Sequence, residues 1–196
     1  MQYPNFKKGS VILTTLLTGF ILFTSCGQNQ ALKENNDTTE VRNDVVYDND
    51  LQDTDARFLI NAAEVNLEEI ELAKLAQQKG TANHVKELGR MMEAEHTRSF
   101  NEVKALAKSK SITIPNATTG SDRNAYQDLN ERSGNDFDKT YTDMMVEKHR
   151  DVIAAFEKVS NDAGDAEIKD WATRSLTTLR THLDHSIDSQ KKSQKI

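Results

Sequence analysis

From Asp53 onward the chain repeats apolar residues at spacings of three and four through four long stretches, and Pro115 is the only proline beyond residue 26. That spacing lines one face of an α-helix, whereas a half-buried strand needs alternation, which is nearly absent. Proline kinks a helix interior and removes a backbone donor, so its scarcity leaves long helices intact. Gly80, Gly120, Gly134 and Gly164 fall where the stretches end.

The spacing predicts helix one over about residues 54–79, with Leu59, Ala63, Leu67, Ile70 and Ala73 on its apolar face. Helix two covers about residues 82–109, with Val85, Leu88, Met92, Phe100, Val103 and Leu106. Helix three starts after Asn135 as cap and runs to about residue 160, through Phe137, Tyr141, Met145, Val152 and Phe156. Helix four starts after Asp165 and runs to about residue 190, through Ile168, Trp171, Leu176, Leu179, Leu183 and Ile187. A short helix near residues 122–132 lies in the connection over residues 110–135. Tight breaks near Gly80 and Gly164 predict two helical hairpins. The expected architecture is all-α: an up-down-up-down four-helix bundle with a short extra helix between helices two and three. In that arrangement both hairpin tips share one end.

The residues before this domain read as an address. Lys7 and Lys8 precede an apolar run over residues 11–23, too short to span a bilayer comfortably but normal for a signal peptide. The run ends at Thr24, Ser25 and Cys26, the only cysteine in the chain. The pattern resembles a bacterial lipoprotein signal over residues 1–25, with Cys26 lipidated as the first mature residue. Phe23 departs from the aliphatic residue usual three places before the cysteine. The absence of Asp at Gly27 favours the outer over the inner membrane by the same resemblance. Residues 26–52, rich in Asn, Asp, Gln and Thr, read as a flexible tether. The folded domain is expected over residues 53–190, followed by a basic tail over residues 191–196. The formal net charge is −6, and removing residues 1–25 takes away two more positive charges. An acidic chain without a basic stripe argues against nucleic acid as a partner. The expected partners are the membrane, through the lipid anchor, and an envelope protein.

Three of the five histidines share buried helix faces. His96 lies four residues after Met92 and four before Phe100. His149 lies four after Met145, and His182 three after Leu179. His84 is expected at the exposed start of helix two, and His185 beside the apolar face of helix four. Glu69 sits at the edge of the apolar face of helix one. Measured from the hairpin tips at about 1.5 Å per residue, Glu69, His96, His149 and His182 lie at depths of about 18, 22, 21 and 28 Å. The four groups converge. Three imidazoles and a carboxylate suit one transition-metal ion such as zinc, copper or iron. The alternative is three core histidines, each satisfied by a hydrogen bond. Glu93 forms a Glu-x-x-His pattern with His96 and is an extra candidate ligand or supporting group. The pattern does not recur, since Val146 and Leu179 stand three residues before His149 and His182, which argues against a di-iron oxidase. The Met91-Met92 and Met144-Met145 pairs read as core filling. Gly89 marks close helix approach or room for a ligand. No nucleophile elbow, phosphate loop or dinucleotide fingerprint is present, so no catalytic residue is assigned.

Asp55-Ala56-Arg57-Phe58-Leu59, Ala62-Ala63, Glu69-Ile70-Glu71-Leu72-Ala73-Lys74-Leu75-Ala76 and Met91-Met92 followed by His96 resemble the domain-of-unknown-function 4142 family. So do Phe137-Asp138 with Tyr141 and His149, and Thr178-Leu179-Arg180 with His182. Thr177 stands where that family often has proline. The resemblance implies a ferritin-like four-helix domain in secreted or envelope-attached bacterial proteins, with histidines at the positions of His96, His149 and His182. It implies no activity. Three readings follow: a non-enzymatic envelope lipoprotein binding a metal ion or small ligand, a metal-dependent redox enzyme, or a purely structural or interaction module.

Overall fold

Apolar spacing becomes four long helices and one short one: α1 (Asp50–Lys79), α2 (Asn83–Ser109), α3 (Gly120–Asn130), α4 (Gly134–Asp162) and α5 (Ala166–Ser193). The computed structural model describes residues 50–118 and 120–195, without the side chains of residues 50–52 and 120–123. The leader, Cys26 and nearly all of the expected tether lie outside the described residues. Helix α1 begins at Asp50, four residues before the expected start, and α5 runs on to Ser193, into the expected tail. No described helix is long and apolar enough to cross a membrane. Asp165 caps α5 as expected, its carboxylate accepting from the Glu167 and Ile168 amides. Helix α4 starts earlier than expected, with Ser133 in the cap position and Gly134 at φ 58°, a left-handed turn that glycine adopts without strain.

The described residues form a helical bundle in which α1 pairs with α2 and α4 with α5. The order of directions differs from the expectation. The Asp138 carboxylate, in the first turns of α4, accepts from the Thr81 and Ala82 amides at 2.9 Å each, so the α1–α2 turn lies at the start of α4. The Asp165 amide donates to Asp55 at 2.7 Å, so the α4–α5 turn lies beside the first turns of α1. His84 meets Ser193 at 3.0 Å, which sets the end of α5 against the start of α2. The two hairpin turns therefore sit at opposite ends, and the long helices run up, down, down and up.

The connection explains the reversal. Residues 110–118 extend at most about 3.3 Å each and the 11 residues of α3 rise about 1.5 Å each. Together they reach about 45 Å, enough to carry the chain back along helices of 27–30 residues. Ile112 and Ile114 anchor the start of this crossover in the core at one end, and Tyr126 and Leu129 anchor α3 in the core at the other. One long crossover is the connection order of ferritin-like bundles.

The core is in two parts. One gathers Phe58, Phe156 and Trp171, with ring centroids 4.9–5.8 Å apart, around Leu59, Val103 and Ile168. The other gathers Phe137, Tyr141, Met92, Met145, Leu72 and Val85. Gly89 lets α2 approach α1 closely here, since a Cβ would stand 2.8 Å from the Ala73 carbonyl oxygen. Between the two apolar clusters lies a buried polar layer.

Candidate metal centre

Each long helix contributes to that layer one turn beyond an apolar contact, where the 3.6-residue period keeps the side chain inside. Helix α1 supplies Asn66 and Glu69, α2 His96, α4 His149, and α5 His182 and Ser186, all buried. The three imidazoles form a triangle with ring centroids 5.2–5.6 Å apart. One nitrogen from each ring lies within 4.8 Å of the others.

The hydrogen bonds fix the tautomers. The Met145 carbonyl, 2.9 Å from His149 Nδ1, only accepts, so that nitrogen carries the proton. The neutral ring then presents a lone pair at Nε2, and His182 Nδ1 donates to it at 3.3 Å. Asn66 donates its amide to the Ala62 carbonyl at 2.7 Å, leaving its oxygen to accept from His96 Nδ1 at 3.0 Å. The Nε2 atoms of His96 and His182 are left buried with no partner.

Burial keeps these rings neutral. Desolvation first, then the neighbouring imidazoles His149 and His182, push His96 well below 6.5. His149 is lowered to about 4, by burial against the opposing pull of the Met145 carbonyl. His182 is lowered to about 3, by burial and then by His149, His185 and Arg98. Neutral imidazole is the form that binds metal.

Glu69 is fully buried with neither carboxyl oxygen partnered. Desolvation raises it to about 8, against the attraction of Lys148 and with the help of Glu68. It lies outside the group of ligand atoms within 4.8 Å, which among the described residues consists of the three histidines. Its surroundings include Tyr141, whose own hydroxyl is buried and unpartnered. Glu93 is not brought to the rings. Its carboxylate accepts from Gln77 on α1 at 2.6 Å, so the Glu-x-x-His pattern ties α2 to α1. His84 is half-buried and His185 exposed. Asn66 is not among the residues that the spacing singles out, although it lies buried on α1 three residues before Glu69.

The fold and the layer define an all-helical bundle with a buried three-histidine centre. The family model described as "Domain of unknown function (DUF4142)" matches residues 43–188, and the chain belongs to that family. No curated protein and no solved structure matches the chain.

Proposed function

We propose that this chain is an envelope lipoprotein, anchored through Cys26, whose bundle binds one transition-metal ion through His96, His149 and His182. The observation that carries the metal reading is the pair of unpartnered buried atoms His96 Nε2 and His182 Nε2 within the cluster of three imidazoles. Each such group costs about 1–3 kcal/mol when left unsatisfied. Neutral imidazoles with free lone pairs are good ligands for zinc, copper or iron.

Metal analysis of the full chain, extracted in detergent and incubated with zinc, copper or cobalt, tests this. One ion per chain is expected, lost in His149→Ala and in His182→Ala while far-UV circular dichroism stays helical. Trace metal that does not change in either variant would leave the layer as a purely structural feature. The anchor rests on the resemblance around Cys26. Cys26→Ser should lose acyl label and move the protein from the membrane fraction to the soluble fraction; a variant that stays in the membrane fraction overturns the anchor and leaves the metal reading untouched.

A further inference from the structure

The three rings are not equally enclosed. A cavity of about 240 Å³ is lined by His96 and His182 at its floor, with His149 and Glu69 absent from its walls. Apolar Ala62 and Leu179 line its sides. Arg98 and Arg174, both exposed, line its outer part on α2 and α5, together with the carboxylates of Glu95 and Glu102, so the rim carries both signs of charge. The cavity therefore runs from the surface to His96 and His182, whose unpartnered Nε2 atoms are themselves shielded from solvent. Structural metal sites are closed by four protein ligands, whereas sites that exchange a ligand keep one position open.

We propose that this cavity delivers a small anion to an open coordination position on the His96–His182 side of the metal. The inference rests on the metal reading above and names the ligand class of the same centre. Three neutral imidazoles leave both charges of a divalent ion uncompensated in a buried layer, which is costly without an anion. The volume of about 240 Å³ is below the roughly 300–1,000 Å³ of pockets for drug-sized molecules. It admits an anion of a few heavy atoms, of carboxylate or peroxide size, with water beside it. Arg98 and Arg174 are held by Glu95 and Asp170 in exposed ion pairs within their own helices. Such pairs contribute little, so both guanidiniums are free to turn toward an incoming anion.

The test uses the cobalt-loaded full chain and azide as the probe. Azide should shift the visible cobalt bands and saturate at one per metal. Thr178→Trp and Ser99→Trp, which fill the cavity and remove no ligand, should bind cobalt as the wild type does. Their azide dissociation constants should rise at least tenfold. Cobalt bands indifferent to azide in the wild type, or unchanged azide affinity in both variants, overturn the proposal while the metal site stands. A chain that takes up no cobalt, zinc or copper overturns the metal reading and this proposal with it.

Discussion

In the presence of a chelator the metal-free chain should be most stable near neutral pH, and Glu69→Gln should remove the alkaline decline. His149 is lowered to about 4, His182 to about 3 and His96 well below 6.5, so three imidazoles that charge in the unfolded chain stay neutral in the fold. Their contribution is complete above about 6.5 and is lost as pH falls toward the folded values. Glu69 has the opposite sign. Raised from 4.5 to about 8, it is protonated in the fold and ionised when unfolded. Its contribution is complete below about 4.5 and is lost as pH rises through about 8. Each proton of difference tilts stability by about 1.4 kcal/mol per pH unit. The opposing slopes cancel where the three unfolded imidazoles together hold about one proton, near about pH 7. From there to pH 5 the imidazoles lose about 6 kcal/mol and Glu69 restores about half of that. The difference in stability between Glu69→Gln and wild type should therefore grow by about 4 kcal/mol from pH 5 to pH 9. Urea unfolding followed by circular dichroism measures that difference, and subtracting the two proteins cancels every other titrating group. A difference constant to within about 1 kcal/mol across the range would refute the buried, unpartnered Glu69.

Asn66→Ala removes the oxygen that holds His96 Nδ1 at 3.0 Å. Metal affinity should fall about 10–100-fold with stoichiometry unchanged, as for other groups that orient a ligand; competition against a chromophoric chelator reads it. Asp138→Ala removes a buried carboxylate bonded to the Thr81 amide, the Thr81 hydroxyl and the Ala82 amide. It should cost about 3 kcal/mol, visible as a lower thermal midpoint without loss of metal. A midpoint unchanged by Asp138→Ala would mean that this contact does not hold the α1–α2 turn against α4.

Helix type and the main breaks were legible because the apolar period is local: Val85, Leu88 and Met92 lie on one face whatever the rest of the chain does. Direction was not legible, because residues 110–133 are long enough either to turn tightly or to run the length of the bundle. Asp138 against Thr81, Asp165 against Asp55 and His84 against Ser193 decide between the two, and each pairs residues more than fifty positions apart. The site survived this error for a geometric reason. His149 lies near the middle of α4, so turning the second hairpin end for end barely changes its depth, while His182 moves from about 28 Å to about 16 Å and still stands within about 6 Å of the other groups along the bundle axis. Measured from the α1–α2 turn, Glu69, His96, His149 and His182 stand at about 15, 20, 22 and 16 Å by helical rise. The ends of α5 show the limit of the period. Leu183 and Ile187 are only half-buried, and Ser186, Ser189 and Ser193 take the inner positions instead.

A polar layer that divides a core in two is either needed for packing or retained for what it binds, and paired substitution separates the cases. His182→Leu alone leaves His149 Nε2 without the donor it has at 3.3 Å, and should destabilise the metal-free chain. His149→Leu with His182→Leu removes both partners together, along with the unpartnered His182 Nε2. The Met145 carbonyl keeps its place in the backbone ladder of α4. Replacing a bonded buried pair by apolar groups of similar shape is often neutral or stabilising. The double variant should therefore match or exceed wild-type stability at pH 7 by up to about 2 kcal/mol. At pH 5 its advantage should widen, since two of the three imidazoles that charge on unfolding are gone. It should bind no metal. A layer needed for packing predicts the reverse, with the double variant less stable than either single one, and chemical denaturation at the two pH values tells them apart.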